Sequence, residues 1–522
     1  MAKVNLDALI QREDFAITEP SENASQNVGT RKDTLSINDL RKDEFFFSVV
    51  RKPDFQRETN EWEPAKTCGF IVSFLDGDLI PAVILWRSAS SNIFVIDGSH
   101  RLSALAAWIN DDYGDGPIST QFYDGIISEE QRRIAHRTRN LVNKTVGSFA
   151  DHTLAASRPD KVRPEILGRA RRLAAQAIQL QWVEGDSSKA ESSFFKINQQ
   201  ASPIDGTELR VLKSRRMPSA IAARSIMRSG RGHKYWSAFI EENQAKIEDL
   251  ANEINMILFH PESFGSPVKT LDLPTGGKAY SAHSLALVLD FVNIVNGVAP
   301  AGTEKESPDE DGSATIDYLT NCRRIARMLN SNHPSSLGLH PAVYFYAPNG
   351  HYKIASFFAV TALMSHLDKH SYFPKFIEVR RDFEALLIKY DFLTSQIVRH
   401  YRSAFASYLH IRDFYIRGIA KLAEGRSVEE TVSEVMKDPA FSYLASSAEA
   451  CEQPSGPFSP ETKSEAYIRQ ALPNTLCCEI CGGYIHRNSI SIDHIDRKGE
   501  GGSRSVENAQ LAHPYCNITF KH

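Results

Sequence analysis

The sequence predicts a mixed α/β front, a mainly helical middle and a small metal-stapled end, and three observations carry that prediction. Strand-like and helical patterns alternate in "CGFIVSFLDGDLIPAVILW" and "SNIFVIDGSHRLSALAAWIN". Helical periodicity dominates from about residue 125 to about residue 437. Four of the seven cysteines, Cys477, Cys478, Cys481 and Cys516, crowd into the final segment. A chain of 522 residues exceeds one ordinary core, so two or three domains are expected.

Composition excludes several classes. With 42% hydrophobic and 24% charged residues the chain reads as a soluble globular protein. No apolar run approaches the roughly 20 residues of a membrane helix: "SAHSLALVLDFVNIV" is cut by Asp290, and "KIASFFAVTALM" is too short. The start lacks the layout of a secretory signal, so a cytoplasmic protein without a membrane partner is expected. A net charge of -4 means that binding to a polyanion must use local basic patches. In a reducing compartment, clustered cysteines favour metal over disulfide.

Residues 1–45, with "TEPSENASQNVGTRKDTLS", read as a partly flexible arm. Residues 46–235 hold the α/β pattern: a helix, a turn at Asp76-Gly77, a strand, then a second strand ended by Asp97-Gly98 and a helix with Leu102, Leu105, Ala106 and Ile109 on one face. Residues 236–445 are mainly helical, interrupted by a Gly-, Pro- and acid-rich loop at 297–316. Residues 446–466, rich in Ser, Pro and Glu, read as a linker before a terminal domain at 467–522.

In that last domain Cys478-x-x-Cys481 and His513-x-x-Cys516 form two short clamps about thirty residues apart, the spacing of a structural tetrahedral zinc site. Between them lie Asp493-His494 at the end of the alternating run "SISIDHI", the Gly-rich "RKGEGGSRS", and Asn508; Asn517 follows the last clamp cysteine. This pattern resembles the HNH, or ββα-metal, endonucleases. The resemblance implies that His494 is the general base, that Asp493 and Asn517 hold one Mg2+ or Mn2+ through oxygen, and that Asn508 pins the loop that orients the site. Zinc would then be structural, with four soft ligands and no open position, and the hard ion catalytic. His513 stands where the family commonly has cysteine. Lys521 falls one place later than the usual family lysine, so little is expected of it. A zinc ribbon that only binds nucleic acid or protein is the alternative, disfavoured because a ribbon has no need of the Asp-His pair and the two later asparagines.

Four motifs stand in order in the front half: "FQRETNEW" (55–62), "LDGDLIPAVIL" (75–85), "FVIDGSHRLSAL" (94–105) and "FFKINQQASPIDGTEL" (194–209). They resemble ParB-like proteins of the DGQHR type, a group that includes DndB-like proteins and the N-terminal domains of SspE- and GmrSD-type restriction enzymes. The resemblance implies a ParB-like sensor domain over residues 46–235 that binds, and in relatives hydrolyses, a nucleoside triphosphate. Ser99 departs from the usual glutamine of that motif. Physically, backbone N–H groups at a helix start, joined by the side chains of Ser99 and Arg101, form an anion cradle at Asp97-Gly98-Ser99-His100-Arg101. Arg57 would add a second positive group, and Asp97 would hold a metal or orient a water. The plainer reading is an ordinary turn with a salt-bridged arginine. No Walker motif supports nucleotide binding, since "LPTGGKAYS" lacks its spacing.

Two further segments invite a nucleic-acid reading. Residues 208–236 carry Arg210, Lys213, Arg215, Arg216, Arg224, Arg228, Arg231 and Lys234 against Glu208 alone, a pattern able to track a phosphate backbone or simply to be solvated. The aromatic "GLHPAVYFYAPNGHYKIASFF" (338–358) is either a pocket for a modified base or, more commonly for such a stripe, core. The whole predicts a modification-dependent DNA endonuclease of anti-phage defence, acting on double-stranded DNA, modified or of phage origin, alone, as a homo-oligomer or with defence partners. The alternative is a DndB-like DNA-binding regulator with a structural zinc tail.

Overall fold

The computed structural model describes residues 3–15, 31–56, 59–60, 62–173, 175–201, 214–262, 265–279, 284–298, 306–447 and 456–521. The chain divides into two compact units, Met1–Arg215 with Arg231–Tyr235, and Arg216–Gly230 with Trp236–His522.

The first unit is built on a six-stranded mixed sheet. Its strands are β1 (Arg12–Glu13), β2 (Thr34–Ser36), β3 (Val50–Pro53), β4 (Val83–Arg87), β5 (Ile93–Asp97) and β6 (Ala177–Trp182), in the order β1-β3-β5-β4-β6-β2. Strand β5 is apolar without alternation because both faces are covered. Ile93 and Val95 face a core completed by α1 (Pro64–Asp76) and α2 (Ser99–Asn110), in which Leu102, Leu105, Ala106 and Ile109 are all buried. Phe94 and Ile96 face the other way, into a smaller aromatic core with Phe15, Phe55, Trp86 and Phe194. There Phe55 meets Phe194, on α3 (Ser187–Ala201), at 5.0 Å between ring centres and Phe15 at 5.1 Å. Three of the quoted front motifs therefore converge on one side of the sheet.

The described parts of the stretch expected as an arm, residues 3–15 and 31–45, belong to this unit. Val4, Leu6, Leu9, Ile10 and Phe15 are buried, β1 pairs parallel with β3, and β2 pairs antiparallel with β6. Asp7 receives the buried cations of Arg12 and Lys52, each at 2.7 Å. Polar composition hid these contacts, because edge strands of two and three residues leave almost no periodic signal.

The second unit is helical, with the small C-terminal module included in it. Its helices include α4 (Pro218–Met227), α5 (Glu241–Phe259), α6 (Ser284–Asn296), α7 (Ser313–Leu329), α8 (Ile354–Lys369), α9 (Arg380–Lys389), α10 (Ala404–Ala423) and α11 (Pro460–Ala471). Helix α8 is buried along Ala355–Met364, which explains its unbroken apolar run. The aromatic segment 338–358 is core: Tyr344, Phe345, Tyr346, Phe357 and Phe358 are buried. The basic segment differs from its expectation. Helix α4 is buried along Pro218–Ile226, and Arg224 and Arg228 are only 7% and 6% exposed, so they offer no open phosphate-tracking face. Arg215 pairs with Glu191 at 3.1 Å, while Glu208, Arg210 and Lys213 lie outside the described residues. Helix α11 begins within the stretch expected as a linker; residues 448–455 lie outside the described residues. Among the described residues no helix is long and apolar enough to cross a membrane.

Candidate active site in the C-terminal module

Two clamps meet in the C-terminal module. Cys478 opens a tight turn in which the Gly482 N–H donates to the Cys478 carbonyl at 2.8 Å and Gly482 takes the left-handed φ of +69°. The second clamp follows strand β8 (Ala509–Ala512), which pairs antiparallel with β7 (Ser491–His494). The hairpin thereby delivers His513 and Cys516 to the first clamp. The ligand atoms of Cys478, Cys481, His513 and Cys516 all lie within 4.8 Å of one another, and all four residues are buried.

This donor set fits a tetrahedral metal. Two sulfurs each about 2.3 Å from a zinc lie about 3.8 Å apart, so four ligands at this spacing can share one ion. His513 Nε2–H donates to the Tyr484 carbonyl at 3.1 Å, which would leave Nδ1, 3.4 Å from Cys481 Sγ, as the atom available to a metal. Burial, and then the cation of Arg380, lowers the His513 pKa and keeps the ring in the neutral form that binds metal. Burial likewise lowers His340 and takes His486, elsewhere in the same unit, down to about 4.

The hairpin register sets Asp493 opposite Gln510 and His494 opposite Ala509. Asp493 is 1% exposed and its Oδ2 accepts from Gln510 Nε2 at 2.6 Å and from Lys521 Nζ at 2.7 Å. Burial pushes this carboxyl up, but the bonds from Lys521 and Gln510 prevail and its pKa is lowered. His494 sits half-buried at the strand end. Asn508 closes the following loop: its Oδ1 accepts from the Asp496 N–H at 2.7 Å, and its Nδ2 donates to the Ser503 carbonyl at 2.8 Å and the Asp496 carbonyl at 3.2 Å. Asn517 Nδ2 donates to Ser491 Oγ at 2.7 Å and to the Ile492 carbonyl at 3.1 Å, so its carboxamide is held against the strand that carries Asp493. Carboxylate and amide oxygens are the donors a hard divalent ion takes.

Lys521 is the residue that sequence reasoning underrated. The chain's last turn, Cys516–Phe520, is a π-helix, and the Lys521 N–H donates to the Cys516 carbonyl at 3.1 Å. A π turn takes up one residue more than an α turn, so a lysine one place late still reaches Asp493. Gln510 was given no role of its own; its place opposite Asp493 follows from the hairpin register.

In the first unit the Asp97–Arg101 segment forms the expected strand-to-helix turn. Gly98 has φ of +100°, and a Cβ there would stand 2.8 Å from Val83 Cγ2, so only glycine fits. Arg101 Nη2 donates to Asp97 Oδ2 at 2.7 Å and to the Ala82 carbonyl at 3.1 Å, which is the salt-bridged arrangement. Ser99 is buried, and the His100 ring stacks on Trp62 at 5.7 Å. No side chain caps the start of α2 among the described residues. Arg57 lies outside the described residues.

Residues 36–213 match the family model of the GmrSD restriction endonuclease N-terminal domain, and residues 478–521 match that of the HNH endonuclease. The chain joins a GmrSD-type front to an HNH tail. The HNH match covers both clamps, the Asp493-His494 pair, Asn508, Asn517 and Lys521. Together the GmrSD-type and HNH domains support a nuclease of restriction type with DNA as substrate. No curated protein and no solved structure matches the chain significantly.

Proposed function

We propose that this protein is a modification-dependent DNA endonuclease of anti-phage defence, in which the HNH tail cuts and the GmrSD-type front, read as ParB-like, senses a nucleotide or a DNA mark. The observation that carries the reading is the hairpin: it ends one strand in Asp493-His494, and its other strand leads directly into the second clamp of the Cys/His cluster. In this reading His494 takes the proton from the attacking water. Asp493 and Asn517 would hold a Mg2+ or Mn2+ ion, which when bound stabilises negative charge on the phosphate and the departing oxygen. Lys521 and Gln510 keep Asp493 ionised and fixed for that task, and Asn508 sets the loop that follows His494. Cys478, Cys481, His513 and Cys516 would hold a zinc ion that supplies folding energy to a module too small for its own core. At the front, the uncapped start of α2 beside Ser99 would receive a phosphate group, with Asp97 and Arg101 fixing the turn; His100 would line it, and Arg57 is assigned there on sequence alone.

The test is cleavage of plasmid and phage DNA by the purified protein with Mg2+ or Mn2+, comparing modified with unmodified DNA, with and without nucleoside triphosphates, beside His494→Ala. Cleavage that His494→Ala abolishes, and that depends on the mark or on the nucleotide, is the expected result. DNA binding with no cleavage in any arm, together with loss of binding in Cys481→Ala, would instead identify a DndB-like regulator with a structural zinc tail.

A further inference from the structure

The Cys/His cluster of the HNH module is enclosed on one side by a helix that belongs to neither clamp. Arg380 and Glu384, one turn apart on α9, have side chains 0% and 1% exposed and form an ion pair at 2.9 Å. The Arg380 guanidinium donates through Nη2 to the Gly338 carbonyl at 3.0 Å and through Nη1 to the Leu337 carbonyl, and Nη1 stands 3.2 Å from His513 Nδ1. Glu384 Oε2 accepts the Tyr484 N–H at 2.9 Å, and Oε1 also accepts the Tyr344 hydroxyl at 3.0 Å. The carbonyl of that same Tyr484 receives His513 Nε2–H. Glu384 therefore holds one side of the Tyr484 peptide frame while the ligand histidine holds the other.

The packing leaves no slack in this arrangement. A Cβ at Gly483 would come 2.3 Å from Arg380 Nε, and one at Gly338 would come 2.4 Å from His513 Cδ2. Charge supplies the reason for it. Three thiolates around one divalent ion leave a negative charge in a buried place, and Glu384 is a second. A buried cation between them removes a repulsion that low local dielectric would make severe.

We propose that Arg380 and Glu384 are positioning residues of this metal centre, reaching it from the helical body of the same unit: Arg380 as its buried counter-cation, Glu384 as the group that aims Arg380 and fixes Tyr484 behind His513. The proposal rests on reading the Cys478, Cys481, His513 and Cys516 cluster as a metal site. It implies that the tail is not an autonomous domain. Other bonds agree, since the Tyr515 N–H donates to the Ser336 carbonyl at 2.9 Å and Asn488 Nδ2 to the His260 carbonyl at 2.7 Å.

The experiment uses the full chain loaded with zinc and, in parallel, with cobalt. Arg380→Met is expected to release zinc to a chelator about 10- to 100-fold faster than the unaltered protein, the usual effect of losing an outer-shell partner, and to change the visible absorption of the cobalt form. Arg380→Lys should recover part of the loss, and Glu384→Gln should fall between Arg380→Met and the unaltered protein. Zinc release within about twofold of the unaltered rate in Arg380→Met, with the same cobalt spectrum, overturns the proposal. If Arg380→Met does not fold, Arg380→Lys and Glu384→Gln decide it, and unchanged release in both overturns it. An unaltered protein that binds no zinc sinks the underlying metal reading instead.

Discussion

Two aspartates stand at or next to the ends of two strands of this chain, and each meets a cation at the same distance. Asp97 ends β5 and pairs at 2.7 Å with Arg101, four residues on; their side chains are 34% and 18% exposed. Asp493 on β7 pairs at 2.7 Å with Lys521, and its side chain is 1% exposed. The first pair lies within one helical turn and forms whenever α2 forms, and solvent screens it to about 1 kcal/mol or less. The second exists only once the hairpin, the clamp turn and the final π turn are all in place, and its loss leaves a buried carboxylate unpaired. A local pair shapes a turn, whereas a long-range buried pair makes the chemistry of the site depend on the whole module.

The largest expected effect lies at the second aspartate's neighbour. His494→Ala should lower cleavage by about 10²- to 10⁴-fold, the usual contribution of a positioned general base, with metal content and melting temperature unchanged. A variant that still cuts at the normal rate would remove the tail from the comparison as a catalytic site.

Acid is the next probe. The folded pKa of His486, about 4, lies below its unfolded value near 6.5, so the unfolded chain binds more protons between those limits. Stability is therefore full above pH 6.5 and falls with pH through that window, by about 3 kcal/mol at pH 4. Burial depresses His340 too, which adds to the loss. Denaturant melts at pH 7 and pH 4.5 measure it, and His486→Gln should flatten the difference.

Lys521→Met sharpens the contrast directly. Without the cation the Asp493 pKa rises, so the acid limb of the cleavage profile should move to higher pH. An unmoved profile would mean that Gln510 alone suffices.

The smallest effects belong to the front. Gly98→Ala forces a side chain into a left-handed position against Val83 and should destabilise the first unit by about 1 to 3 kcal/mol. Arg101→Met should change stability by about 1 kcal/mol or less in the same thermal melt. A larger loss from Arg101→Met would show that the local pair carries more than the turn.

Legibility followed the range of the interactions. Helix α1, the turn at Gly77, strand β4, the Asp97-Gly98 turn and the buried face of α2 could all be read from periodicity and from glycine's freedom at positive φ. The N-terminal strands could not, because two- and three-residue strands are defined by their partners. The basic pattern of Arg224 and Arg228 misled, since arginine counts carry no statement of burial.

By itself the sequence determined which atoms can gather at the C-terminus. Clamp spacing puts sulfur and imidazole in two short pairs, and an alternating strand ending in Asp493-His494 presents a carboxylate beside an imidazole. Only the tertiary structure decided what surrounds them. Arg380 and Glu384 lie about a hundred residues ahead of the first clamp and close on it through side chains that no local pattern marks. Lys521 reaches Asp493 because a π turn absorbs the extra residue. Each clamp is local and readable from its spacing, whereas counter-charges in a low-dielectric interior can come from any helix that packs there.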